Sequence, residues 1–177
     1  MEAFMIPSDH FVRFYNEIFK FLENKGHEHL EDYFLTISRH QETHCLKQFS
    51  EGGLQGMYDY WMVIKKEENC DSDKFIEDGQ YGKVLKGFMS GCPSLSKVKD
   101  NDAGACPLYC CHCPGWVLPI MSKVGYYYVY DLISLDMPRC QTTICEHIED
   151  ARAQLRLVLK RHNGDRTLVK WNFPEED

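Results

Sequence analysis

Residues 126–134, YYYVYDLIS, run into LDMP (135–138) and then RCQTTICEH (139–147), and this stretch decides the fold. The first run is aromatic and β-branched, which suits a pleated, half-buried surface and predicts a strand. Asp136-Met137-Pro138 carries turn chemistry, and 139–147 predicts a second strand, so the two form an antiparallel pair. Working outward, Gly125 closes a short helix over Pro114–Lys123, with Pro114 near its start and Pro119 expected to weaken or kink it. On the other side, Ala151, Leu155, Val158 and Leu159 mark an amphipathic helix over Glu149–Arg161.

Further upstream, Lys83–Ser90 (KVLKGFMS) predicts a strand ended by Gly91 and Pro93, and 99–106 (KDNDAGAC) a polar loop. The N-terminal half has a different period. Phe11, Val12, Phe14, Tyr15, Ile18, Phe19 and Leu22 recur at helical steps between an N-cap at Ser8 and a stop at Lys25-Gly26. A second helix is expected over Glu28–Phe49, broken by Gly52, Gly53 and Gly56. Tyr58–Lys66 suits strand or helix, and Asp71 or Ser72 caps a short helix through Phe75 and Ile76. Helices first and a small sheet later is an α+β pattern: N-terminal helices packed on a small antiparallel sheet, with a C-terminal helix. At 177 residues, with neither repeat nor linker, the chain is read as one domain, 1–177.

Composition narrows the function classes. Apolar residues make up 44% and the net charge is −7, so a phosphate backbone is repelled and nucleic acid is excluded as a general partner. No apolar run is long enough to span a bilayer, and MEAFMIPSDHF lacks the parts of a signal peptide. The expected setting is therefore the cytoplasm, with a small-molecule ligand as the main partner and a homodimer left open. Nine cysteines, odd in number and with Cys110 and Cys111 adjacent, suit free thiols in a reducing compartment.

Three groupings could carry chemistry. In Cys106-Pro-Leu-Tyr-Cys110-Cys111-His112-Cys113, the pair Cys110 and Cys113 could grip one zinc ion or exchange between dithiol and disulfide. Packing as buried free thiols is the bland alternative. Cys145 and His147 share a strand face, so the imidazole could activate the thiol, and Asp131 on the preceding strand could orient the histidine. His40 and His44 lie at i and i+4, extend the apolar stripe of their helix, and could chelate a metal facing the core. Tyr128 and its neighbours would suit the mouth of a pocket for a polar ligand. The very short connections around the strand pair predict that Cys110 or Cys113 shares a pocket with Cys145 or His147.

From Lys83 to His147 the order of features resembles the L-2-amino-thiazoline-4-carboxylic acid hydrolase family. The parts are a strand ending in Cys92-Pro93, a variable loop, Tyr109-Cys110, a short helix, and two strands with a late cysteine, Cys145. Where the family has a glycine turn leading to Cys-Asp-Phe, this chain has Met137-Pro138-Arg139-Cys140 and then Cys145-Glu146-His147. The resemblance implies a cysteine-lined pocket, with Cys92, Cys110 and Cys145 as equivalents, for a small amino-acid-like or sulfur-containing substrate. The resulting expectation is a hydrolase-like protein with Cys145 as nucleophile or metal ligand, His147 or His112 as general base, and Arg139 as a carboxylate clamp. The alternative is a non-enzymatic zinc- or iron-binding or sensor protein that uses the Cys/His cluster as ligands.

Overall fold

A computed structural model describes residues 9–100, 104–134 and 136–175. The N-cap expected at Ser8 and residues 101–103 of the polar loop lie outside the described residues. The strand pair forms as read: β3 (Tyr127–Ser134) lies antiparallel to β4 (Arg139–Cys145), with Tyr130 opposite Thr142. Three more strands join them, β1 (Asp71–Asp78), β2 (Lys83–Gly91) and β5 (Val169–Trp171). The sheet is antiparallel throughout, in the order β1-β2-β4-β3-β5.

Helices cover both faces. On one lie α1 (Asp9–Lys25), α2 (His27–Glu67), α3 (Pro93–Lys99) and α4 (His112–Val124); on the other lies α5 (Ile148–Arg161). The architecture is α+β, with the N-terminal helices and the C-terminal helix on opposite sides of the sheet. Side chains alternate along a strand, so β3 sends Tyr128, Tyr130 and Leu132 into the larger core and Val129 toward α5. That larger core holds Phe49, Met57, Ile120 and Met121, all fully buried. Each such side chain contributes roughly 1.5–3 kcal/mol through burial.

Two expectations change. The glycines after Phe49 kink α2 without ending it: Gly53 adopts φ 54, ψ −142 inside a helix that continues to Glu67. A side chain there would be strained, and a Cβ would lie 2.7 Å from the Tyr126 hydroxyl. The segment after Asp71 is strand β1, because pairing with β2 from Ser72–Met89 to Asp78–Lys83 outweighs its weak helical signals. Pro119 lies inside α4, and Gly125 ends that helix in the left-handed conformation at φ 77.

The site is positioned by close packing of α4 on α2. At Gly115 an added Cβ would lie 2.8 Å from the Phe34 ring, and Ser38 Oγ donates to the Trp116 carbonyl at 2.8 Å. A 3-10 turn, Tyr109–Cys111, leads straight into α4 and orients its first residues toward the sheet. No described helix is long and apolar enough to cross a membrane.

Candidate functional site

Between α2, the start of α4 and the sheet lies a cleft of about 320 Å³, within the size range of small-ligand sites. His112 and Cys113 enter it from α4, Cys140 from β4, Tyr128 from β3, Ser72 and Lys74 from β1, and Glu68 from the end of α2. Trp61 and Trp116 supply apolar wall.

At its centre, Cys113 Sγ lies 3.4 Å from His112 Nε2. His112 Nδ1 lies 2.5 Å from the Tyr109 carbonyl oxygen. A carbonyl only accepts, so Nδ1 carries the proton and Nε2 presents a lone pair to the thiol. Burial holds His112 below its ordinary value and pushes the Cys113 thiol up to about 12. The resting pair is therefore neutral imidazole and neutral thiol, with the base within reach of the proton it would take.

The surroundings are set for a polar ligand. Burial pushes the Glu68 carboxyl up and the Lys74 ammonium down, so the charged form of each gains from a partner brought in by a ligand. Ser72 is 3% exposed, and its Oγ is, among the described residues, the buried side-chain polar atom left without a hydrogen-bond partner. Such an atom costs about 1–3 kcal/mol unless something satisfies it. Elsewhere in the cleft, the Tyr130 hydroxyl hydrogen-bonds Cys140.

The residues singled out from sequence divide between the two faces of the sheet. His112, Cys113 and Tyr128 line the cleft. Cys110 is buried in the adjoining core, and Cys92 caps α3, its Sγ accepting from Leu95 N at 3.4 Å. Cys145 lies on the other face, 1% exposed and packed with Ala151, Leu155 and Val158. Burial pushes its thiol up to about 12, and α5 shields it from solvent. The pocket expected to join Cys110 or Cys113 to Cys145 or His147 is not formed: the sheet stands between Cys113 and Cys145, and His147 does not line the cleft.

Asp131 does not orient His147. It is 1% exposed on the α5 face and binds Arg161 and His162, whose Nε2 lies 2.6 Å away. His147 is exposed at the N-cap of α5. Arg139 is exposed at the start of β4, away from the cleft. His40 and His44 face solvent with ring centroids 5.2 Å apart. The buried stripe of α2 runs through Leu30, Phe34, Ser38, Cys45 and Phe49, and at 100° per residue that phase leaves both histidines outside it. All nine cysteines are free, and among the described residues no three His, Cys, Asp or Glu side chains are grouped to hold a metal ion.

Glu68, Ser72 and Lys74 escaped the sequence reading. Residues 71–78, DSDKFIED, lack the apolar alternation that announces a strand. Only pairing with β2 puts Ser72 and Lys74 on the cleft face. Comparison with protein-family models, curated proteins and solved structures finds no match.

Proposed function

We propose that the chain is a small hydrolase-like enzyme in which Cys113 is the nucleophile and His112 its general base, acting on a small amino-acid-like or sulfur-containing substrate. The observation that carries this reading is the 3.4 Å approach of Cys113 Sγ to an imidazole nitrogen freed to accept by the Nδ1–Tyr109 hydrogen bond. In a neutral dyad the thiol proton passes to Nε2 as Sγ adds to the electrophilic carbon of a C–N group. The imidazolium returns that proton to the departing group, in a thiazoline the ring sulfur, which leaves as a free thiol on the opened substrate. Water, deprotonated at the same Nε2, then cleaves the carbon–sulfur bond and restores the thiol. Lys74 is the group suited to a substrate carboxylate, in the role first given to Arg139. Glu68 suits an amino group, and Ser72 Oγ offers a further polar contact.

Metal binding has less support, since no described trio of ligands surrounds a common point. The test is hydrolysis of 2-amino-thiazoline-4-carboxylate, followed by release of free thiol and by chromatography. Turnover by the wild type, lost in Cys113→Ser and His112→Ala but kept in Cys145→Ser, supports the reading. Turnover surviving Cys113→Ser, or absent with this compound and with other small cyclic amidines, overturns it.

A further inference from the structure

Helix α4 serves two cavities. His112, Cys113, Trp116 and Val117 line the cleft, whereas Cys111, Pro114, Gly115 and Leu118 line a second cavity of about 520 Å³. Steps of three and four bring that second set to one side of the helix, away from the first. Helix α2 answers with the same period, through His27, Glu31, Phe34 and Leu35. Lys170 of β5 and Thr167 just before that strand complete the lining. The volume suits a small ligand, and the two cavities share no lining residue.

The lining is apolar over most of its extent, through Phe34, Leu35, Leu108, Leu118 and Pro119. Two cations border it, and they differ. His27 is already paired, with Nδ1 3.0 Å from Glu23 and Nε2 3.4 Å from Glu31, and its hydrogen bond to Glu23 raises it above its ordinary value. Lys170 is half-buried, and among the described residues no carboxylate lies within ion-pair distance of its ammonium. Its charge is felt on both walls. Burial raises the Cys111 thiol, and Lys170 acts against that rise; on the other side it opposes protonation of His27. We propose that this cavity binds a small monocarboxylic acid with an apolar body, the carboxylate on Lys170 and the hydrocarbon against Phe34, Leu118 and Pro119.

Charge decides the head group. One uncompensated ammonium matches one carboxylate, and a partner brought into an apolar surround favours the charged form of both. A phosphate ester fits less well, because no guanidinium fork lines the cavity and Glu31 stands on its border. A neutral apolar molecule would leave the ammonium without a counter-ion. The ends of the described chain lie elsewhere. Asp9 is about 25 Å along α1 from the junction beside His27. After β5 the chain passes to the other face of the sheet, where Arg152 of α5 donates to the Pro174 carbonyl at 3.4 Å.

Titration of the isotope-labelled full chain with decanoate, and with decanamide as its neutral counterpart, tests this by nuclear magnetic resonance. Decanoate below its micelle-forming concentration should give saturable shifts centred on the amides of Cys111, Gly115, Leu118 and Lys170. It should also slow alkylation of Cys111 while leaving the rate at Cys113 unchanged. Lys170→Met should weaken decanoate about tenfold, the worth of one charged hydrogen bond, and leave decanamide unaffected. Leu35→Glu, at an exposed position on the rim, should abolish decanoate binding and keeps the test open should Lys170→Met fail to fold. Overturning results are shifts that do not saturate, shifts centred on Cys113 and Tyr128 in the cleft, equal affinity for acid and amide in the wild type, or undiminished decanoate binding in both folded variants.

Discussion

Cys140 and Cys145 lie on one strand an odd number of residues apart, so Cys140 opens into the cleft beside Cys113 while Cys145 is sealed beneath α5. Both thiols are raised to about 12 by burial, but only one face of the sheet has a route to solvent.

Timed alkylation with peptide mapping should follow that division. Cys113 is expected to label at least about tenfold faster than Cys145 in the folded protein, because a shielded structural thiol reacts slowly. His112→Ala should slow Cys113 while leaving Cys145 as slow as before. Labelling of Cys145 ahead of Cys113 would remove the structural basis for the dyad.

The pH dependence has a definite sign. His112 serves as a base only when neutral, and burial holds its value below 6.5. Base-assisted labelling of Cys113 should therefore rise through an inflection below pH 6.5 and stay level across neutral pH, since the thiol itself ionises only near 12. A midpoint above 6.5, or the same inflection in His112→Ala, contradicts the assignment.

On the opposite face, Asp131 behaves as a structural carboxylate. Asp131→Ala leaves His162, which is 8% exposed, and Arg161 without their shared acceptor. Breaking such a pair costs about 3 kcal/mol, to be read as a lower urea midpoint. The alkylation rate of Cys113 in the folded fraction should not change. Loss of Cys113 reactivity at full stability would return Asp131 to the site.

The N-terminus of α5 holds the β1–β2 turn through one residue. Asp150 accepts from the backbone N–H groups of Gln80, Tyr81 and Gly82 at 2.9, 3.0 and 3.1 Å. Asp150→Ala should destabilise the fold by about 2 kcal/mol, with Asp150→Asn between the variant and wild type. Thermal melts would show it, and equal melting temperatures would mean that water replaces the carboxylate.

Local chemistry was enough to read much of this fold. The aromatic and β-branched run in 126–134, the turn at Asp136-Met137-Pro138, the left-handed stop at Gly125 and the apolar period of 149–161 are properties of adjacent residues, and each recurs as an observed element. The same locality made 71–78 illegible, because its strand exists only through hydrogen bonds to β2. His40 and His44, expected to face the core, face solvent, because a small difference in helical phase, carried along α2, turns a side chain from core to solvent.

By itself, the sequence determined a helical half, a sheet centred on β3 and β4, and a concentration of cysteine and histidine between residues 92 and 147. Tertiary structure alone decided which of those groups meet. A sheet has two faces, and alternation along β3 and β4 assigns side chains to them. Only the packing of α4 on one face and α5 on the other makes one face a cleft and the other a sealed core. Cys113 and His112 become a dyad because the turn before α4 directs the Nδ1 proton to the Tyr109 carbonyl, whereas Cys145 becomes core because α5 lies over it.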